Sequence, residues 1–210
     1  MKPVRSAMSA CICAAVASIA SAQTFPTKPV RMVIGFPAGG PIDIVARVMT
    51  PKLGEVLGQQ VVIDNRAGAN GLIGADVVAK SAPDGYTMIL ISTGTVAISP
   101  HIYPKMPYDA LRDLACVSRV TSTGELLVVH PSLPAKNIKE FIAIAKARPG
   151  EITLASTGSG GLPHLAIELL KMESKTNILH VPFNGAAPAV SNAIGGQVLG
   201  VVADLPVVQP

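Results

Sequence analysis

The chain has 210 residues and a formal net charge of +4, with 49% apolar, 14% charged and 3% aromatic residues. No run of basic residues occurs, so neither composition nor charge indicates a nucleic-acid-binding protein. High apolar content with few aromatic residues favours a core of Val, Ile, Leu and Ala, as in sheets covered by helices on both faces.

The first 22 residues have the pattern of a secretory signal peptide. Lys2 and Arg5 precede an Ala-rich apolar run, and Ala20-Ser21-Ala22 matches an A-x-A cleavage site. The run is shorter than the roughly 20 residues that a membrane-spanning helix needs. We therefore expect export to the periplasm and cleavage after about Ala22, which would lower the net charge to +2. An uncleaved N-terminal anchor is the alternative.

After this segment, strand and helix patterns alternate along the chain. Apolar runs predict strands at 30–36, 61–64, 86–92, 114–120, 126–130, 152–155, 178–181 and 198–203. Helical spacing predicts helices at 42–57, 137–148, 163–172 and 186–194, and a further helix after the glycine-punctuated loop that follows the second strand. Such alternation is typical of an α/β fold with mainly parallel sheets.

Three local features refine these predictions. Pro51 would kink or split the first helix, because proline removes a backbone donor. Asn137, with Glu140 three residues later, resembles a capping box. Cys116, the one cysteine left after cleavage, lies in the run at 114–120 and is interpreted as a small core residue; a single thiol excludes an internal disulfide and a cysteine-based zinc site.

The two consecutive strands at 114–130 interrupt the alternation and indicate a crossing between two lobes. We expect a first lobe at 23–122 and a second at 123–210. The sequence stops where another helix would begin, so the second lobe is expected to be incomplete.

Two strand-to-helix turns are rich in glycine: Phe36-Pro37-Ala38-Gly39-Gly40-Pro41 and the segment from Ser156 to His164. Ligands of open parallel sheets bind beyond the carboxyl ends of the strands. Glycines there expose backbone N–H groups, and a helix start adds partial positive charge. Because the turns contain no Lys or Arg, they favour a small carboxylate over a polyphosphate. A purely structural Gly-Pro connection is the alternative.

Enzyme motifs are weak. The dinucleotide and P-loop patterns are absent, and the four histidines show no metal-ligand spacing, so we predict no cofactor and no metal site. Ser159 and His164 lie near one helix start and leave open a secreted α/β hydrolase, although a triad also needs an acid and an oxyanion hole. Asp43 suits the first turn of a helix, and Asp204 ends a strand, where it would either face a cleft or cap a following helix.

Several segments then match one family in order: FPAGGPIDIVAR, VVIDNRAGANGLIGADVVAKSAPDGYTMIL, STGSGGLPHLAIELLK, HVPFNGAAPAV and GGQVLGVVADLPVV. They resemble the periplasmic solute receptors of tripartite tricarboxylate transporters, the Bug family. The resemblance implies a two-lobed Venus-flytrap fold and a monomeric receptor without enzymatic activity. Such a receptor would bind a small carboxylate between its lobes and deliver it to membrane permease subunits. The ligand would be a di- or tricarboxylate, an acidic amino acid or an aromatic acid.

The resemblance also implies where the ligand is held. Two loops grip its carboxylate largely through backbone groups, and further loops line the cleft. The matching positions here are Phe36, Pro37, Ala38, Gly39, Gly40, Asp43, Ser92, Thr93, Ser156, Thr157, Gly158, Ser159, Gly160, His164, Phe183, Asn184, Gly185 and Asp204. The positions that match the family's N-R-x-G-A-x-G-x-x-G run are interpreted as mostly structural: Asn65, Arg66, Gly68, Gly71 and Gly74. Members of the family are longer than this chain, so a non-functional truncated product is a further alternative.

Overall fold

The computed structural model describes residues 25–208. The predicted signal peptide therefore lies outside the described residues. Within residues 25–208, none of the helices combines the length and the apolar composition that crossing a membrane requires.

The first sheet has three parallel strands in the order β2-β1-β3. The strands are β1 (Val30–Ile34), β2 (Val61–Asn65) and β3 (Thr87–Leu90). Helix α1 (Pro41–Leu57) connects β1 to β2, and a 3₁₀ turn (Ala69–Gly71) followed by α2 (Leu72–Ala79) connects β2 to β3. A π-helical turn (Gly94–Ile98) then leads into α3 (Ser99–Ile102).

The second sheet has four strands in the order β4-β7-β5-β6, of which only β4 is antiparallel to its neighbour. Its strands are β4 (Glu125–Val129), β5 (Thr153–Ser156), β6 (Leu179–Pro182) and β7 (Gly200–Asp204). The helices are α4 (Ile138–Ala147), α5 (Leu162–Ser174), α6 (Ala186–Ile194) and the short α7 (Leu205–Val208).

Each sheet is the centre of its own apolar core. Val30, Val33 and Ile34 of β1 have no exposed surface, as expected for a central strand covered on both faces. In the second sheet, Leu154 and Val201 fill the same role on β5 and β7. The α/β class with mainly parallel sheets is therefore confirmed. All three strands of the first sheet precede residue 122 in the sequence, and all four strands of the second sheet follow it. The exact boundary between the lobes stays a prediction.

The predicted strand at 114–120 was wrong. Residues 114–120 form no strand, and Cys116 and Val117 are exposed, the latter to 93%. No described strand pairs with this segment, and of its apolar residues Leu114 packs against the Leu72, Ala75 and Tyr108 cluster. Pro51 is exposed and lies inside an uninterrupted α1, so it does not split the helix, and the kink expected there stays a prediction.

The predicted cap of α4 is confirmed. The Glu140 amide donates to the Asn137 side chain over 3.0 Å, while the Glu140 carboxylate accepts from the Lys136 amide at 2.7 Å. Two N–H groups at the start of the helix are thereby satisfied reciprocally.

Glycine at the end of β1 allows direct backbone packing in the first lobe. A Cβ atom at Gly35 would lie 2.8 Å from the Gly71 Cα and 2.9 Å from the Gly71 carbonyl oxygen. A Cβ atom at Gly74 would in turn lie 2.8 Å from the Gly35 Cα. The loop after β2 therefore sits closer to β1 than any side chain would permit.

We expect Gly35→Ala to lower the free energy of unfolding by about 1–3 kcal/mol, because the added methyl group would overlap main-chain atoms that cannot rotate away. Urea unfolding followed by circular dichroism measures the change. Gly124→Ala is the matched control, since no heavy atom lies within 4 Å of a Cβ built there. Equal stability of the two variants would contradict this account of the packing.

Candidate functional site

A cavity of about 440 Å³ lies between the two sheets, where the carboxyl ends of their strands face each other. The first lobe contributes the turn after β1 and residues 89–94, and the second contributes the turns after β5 and β6 together with Asp204. The extended segment 118–123, which crosses between the lobes, closes one side. The structure thus brings together most of the loops that the sequence singled out.

The residues predicted for the site divide into two groups. Ten of them line the cavity: Phe36, Pro37, Ala38, Gly40, Ser92, Thr93, Thr157, Asn184, Gly185 and Asp204. The other eight do not line the cavity but lie in or beside the same turns: Gly39, Asp43, Ser156, Gly158, Ser159, Gly160, His164 and Phe183.

Three helices begin at the cavity wall with a glycine at the N-cap position. Gly40, Gly161 and Gly185 precede α1, α5 and α6, and none of the three helices has a side-chain cap. Within residues 25–208, the first helical N–H groups of these helices donate to no protein acceptor, namely those of Ile42, Leu162 and Ala186. Unpaired N–H groups at convergent helix starts form a setting suited to an anion.

Asp43 fixes the shape of the first turn from behind. Its carboxylate is 1% exposed and accepts hydrogen bonds from the Gly39 amide at 2.9 Å, Arg47 at 2.7 Å and Asn65 at 3.0 Å. Asn65 also donates to the Phe36 carbonyl at 3.1 Å. The Gly39 N–H is therefore committed to Asp43 and is not available to a ligand.

The charge of Asp43 is maintained by these same partners. Burial alone would raise the pKa of its carboxyl group, but the hydrogen bonds from Arg47, Gly39 and Asn65 outweigh burial and hold the pKa below its usual range. The ionised Asp43 carboxylate thus stabilises the turn through its hydrogen bonds and does not line the cavity.

The second turn is braced by a serine and a histidine. The Ser156 side chain is fully buried, lies 2.6 Å from His180 Nε2, and donates to the Gly158 carbonyl at 3.1 Å. Burial, followed by the neighbouring His164, lowers the pKa of His180 to about 4, so this imidazole is neutral at physiological pH. A neutral ring can remain against Ser156 without an unpaired buried charge.

His164 and His180 stack, with ring centroids 4.2 Å apart. Together with Glu168 they place one potential ligand atom each within 4.8 Å of the others. Protein groups already engage one nitrogen of each histidine and one oxygen of Glu168. Gly160 N–H donates to His164 Nδ1 at 3.1 Å, and Lys171 pairs with Glu168 at 2.8 Å. The two histidines of this cluster are thus hydrogen-bonded to Ser156 and Gly160 of the second turn.

The acidic residues of the cavity lie together at one end. Glu125 and Asp204 are directly paired across β4 and β7, and both line the cavity. Thr123 donates to Asp204 at 2.9 Å, whereas the buried Oε2 of Glu125 has no hydrogen-bond partner within residues 25–208. Burial, reinforced by Asp204, raises the pKa of Glu125 to about 7. This end therefore exchanges a proton near neutral pH.

Sequence reasoning missed several lining residues. In the sequence, Glu125 directly precedes a predicted strand and Arg119 lies in another, so the pattern predicts neither as a cavity-lining residue. Asn70 occupies a variable position of the N-R-x-G-A-x-G-x-x-G motif, so the motif does not predict that it lines the cavity. A glycine-rich run after a strand was a usable signal for Asn70, since asparagine is the non-glycine residue that most readily takes a left-handed conformation.

Comparison with known proteins agrees with the architecture. Residues 45–210 match the model of the tripartite tricarboxylate transporter family receptor. The chain is similar to Protein BugT of Bordetella pertussis, with 41% identity over 196 residues, which cover 93% of this chain and 60% of that protein. A protein encoded in the tcbD-tcbE intergenic region of a Pseudomonas strain is 40% identical over 176 residues, which cover 84% of this chain and 52% of that protein.

Two solved structures of relatives contain a bound carboxylate. The Rpa4515 protein of R. palustris with adipate is 36% identical, with a TM-score of 0.86, and the match covers 89% of this chain and 62% of that one. MatC from Rhodopseudomonas palustris with bound malate is 33% identical, with a TM-score of 0.79, and the match covers 86% and 61%. The chain thus spans roughly 60% of the length of these relatives. By sequence and by fold, the chain belongs to the Bug family of tripartite tricarboxylate transporter receptors.

Proposed function

We propose that this chain is an extracytoplasmic receptor that binds a small organic carboxylate in the cavity between its two sheets. Three uncapped helix starts at one cavity, contributed by both halves of the chain, are the observation that carries this proposal. Each start offers N–H groups and partial positive charge to an anion. The bound adipate and malate of the two related proteins support the same ligand class.

The electrostatics of the cavity favour a carboxylate held by dipoles. Arg119 is the one Lys or Arg residue among the cavity-lining residues of the described chain. A polyphosphate would place several negative charges beside Glu125 and Asp204, with little compensation. A ligand with one or two carboxyl groups on a short apolar frame fits both the helix starts and the apolar wall at residues 89–91.

The remaining parts of the function follow from the family and from the N-terminal pattern. Export to the periplasm, cleavage after about Ala22 and delivery of the ligand to permease subunits belong to this proposal. In it, the chain acts as a monomer without a cofactor. Phe36, Pro37, Ala38 and Gly40 form one side of the binding site, and Thr157, Asn184 and Gly185 form the other.

The hydrolase alternative has less support. Ser159 is exposed, and within residues 25–208 no hydrogen bond joins it to His164, whose Nδ1 accepts from Gly160. The serine that does contact a histidine is Ser156, and it has no exposed surface. A nucleophile must reach its substrate, so this pair is suited to bracing the turn.

Binding is tested with a panel that contains malate, adipate, glutamate and benzoate. We expect at least one of them to raise the melting temperature of the chain, because a ligand that binds only the folded state stabilises it. Isothermal titration calorimetry then gives the affinity. If no member of the panel shifted the melting temperature or produced heat of binding, the proposal would be overturned.

Thr93 permits a charge test at the cavity wall, since it lines the cavity and makes no side-chain cap. Thr93→Asp should weaken carboxylate binding by about tenfold or more, because it adds a like charge at short range. Thr93→Asn, of nearly the same shape but neutral, should bind within about threefold of wild type. Equal affinities of the two variants would mean that the ligand carboxylate lies elsewhere.

Glu125 predicts a pH dependence of binding. Below pH 7 its side chain carries a proton, and above pH 7 it adds a second negative charge beside Asp204. For a ligand that is ionised throughout, the affinity should fall by about two- to tenfold from pH 6 to pH 8.5. Glu125→Gln should abolish this fall, and calorimetry at several pH values measures it.

The proton on Glu125 also affects the free energy of unfolding. The pH dependence of unfolding can therefore be measured as a control without ligand. The folded chain retains a proton on Glu125 that the unfolded chain releases at its ordinary pKa of 4.5. The contribution of Glu125 to the free energy of unfolding is therefore complete below pH 4.5 and is lost as pH rises through about 7. A Glu125→Gln variant with an unchanged pH profile for both binding and unfolding would refute this assignment.

A further inference from the structure

The loop between β2 and α2 has an unusual backbone. Four consecutive residues, from Gly68 to Gly71, have positive φ, and for Ala69 and Asn70 the values are 46° and 53°. Residues other than glycine adopt this region rarely, and clusters of such residues occur where the surrounding structure fixes them for a purpose. Asn70 lies at the exit of this turn and lines the cavity.

Buried side chains of the first lobe fix Asn70 in place. Thr95 Oγ1 donates to the Asn70 carbonyl at 2.8 Å, and Asn70 Nδ2 donates to Ser99 Oγ at 3.1 Å. Thr95 and Ser99 have no exposed surface, and both lie in or next to the π-helical turn. The side-chain amide is therefore held on a rigid support.

The second hydrogen of the same amide reaches the other lobe. Asn70 Nδ2 donates to the Gly160 carbonyl at 3.1 Å, over a sequence separation of 90 residues. A carbonyl oxygen only accepts hydrogen bonds, so the atom facing it is the nitrogen of the amide. Close approach accompanies this bond: a Cβ atom at Gly94 would lie 3.3 Å from the Gly161 Cα.

Gly160 is then fixed on both sides. Its N–H donates to His164 Nδ1 at 3.1 Å, and its carbonyl accepts from Asn70 at 3.1 Å. Because a trans peptide is planar, fixing the Gly160 carbonyl also fixes the N–H of Gly161, the N-cap residue of α5. The orientation of the helix start in one lobe thus depends on a side chain in the other.

We propose that Asn70 is a positioning residue that fastens the second turn to the first lobe and holds the cavity in its closed form. We name this pair of hydrogen bonds, from Asn70 to Ser99 and to Gly160, the Asn70 bridge. Its effect on ligand release rests on the proposed function, whereas its effect on the distance between the lobes does not.

The test measures the distance between the lobes in the full chain without ligand. Spin labels at Lys52→Cys on α1 and Lys146→Cys on α4, both exposed positions, report the distance by double electron–electron resonance. The three native cysteines are replaced by serine. We expect a single narrow distribution for wild type. Asn70→Ala should add a population at longer distance.

Asn70→Gly separates the side chain from the backbone, because glycine adopts positive φ without strain. Asn70→Asp keeps the shape but removes the donor. We expect both variants to add the longer-distance population and to retain cooperative unfolding. If Asn70→Gly gave the wild-type distribution, the side chain would have no part in closure and the proposal would be overturned.

Tyr103→Phe is the matched control at the same interface. The Tyr103 hydroxyl lies 3.5 Å from the Ser159 carbonyl, at the limit of a hydrogen bond. Its removal should leave the distribution unchanged. Opening equal to that of Asn70→Gly would show that any loss at this interface separates the lobes, and it would overturn the specific role of Asn70.

Ligand kinetics provide the second readout. With a carboxylate that binds wild type, Asn70→Gly should raise the dissociation rate by about tenfold and change the association rate less than threefold. If no carboxylate binds wild type, the proposed function is overturned. The distance measurement then still tests whether the Asn70 bridge holds the lobes together. An unchanged dissociation rate together with an unchanged distance distribution would refute the bridge alone.

Discussion

Contact between main chains at the end of β1 is the constraint on which the first lobe depends. Gly35 lies against Gly71 and Gly74 at distances that leave no room for a Cβ atom. This packing places the loop after β2 beside the turn after β1. Asn65 at the end of β2 and Asn70 within the loop then reach the first turn and the second lobe respectively. A glycine-rich motif thus determines where two polar side chains act.

Internal hydrogen bonds decide which backbone groups remain for a ligand. Both glycine turns contain several N–H groups, but Asp43 occupies that of Gly39, and His164 occupies that of Gly160. Within residues 25–208, the N–H groups at the starts of α1, α5 and α6 have no such protein partner. In the proposed function, the carboxylate is therefore recognised at the ends of helices, where geometry is well defined.

Much of the fold could be predicted from the sequence. Strands such as β1 and β5 are short apolar runs that end in glycine-rich turns. The local sequence pattern is enough to predict such strands. The segment at 114–120 shows the limit: its apolar residues look like a strand, yet Cys116 and Val117 are exposed. Strand formation requires a neighbour to complete its hydrogen bonds, and periodicity contains no information about neighbours.

The site was predictable to the level of its loops. The turns at Phe36 and Ser156 were visible because glycine and proline have distinct backbone preferences. Which side chains face the cavity was not visible. Asp43 turns inward because Gly39, Arg47 and Asn65 converge on it from separate parts of the chain, and Glu125 enters the cavity only because β4 pairs with β7. Both outcomes depend on tertiary pairing.

The stacked pair of His164 and His180 has a consequence for the thermodynamics of binding. Both rings, with Ser156, keep the second turn in one conformation before any ligand arrives. A preorganised turn loses little conformational entropy on binding. The heat-capacity change of ligand capture should therefore reflect the apolar surface covered in the cavity, with little contribution from the ordering of a loop.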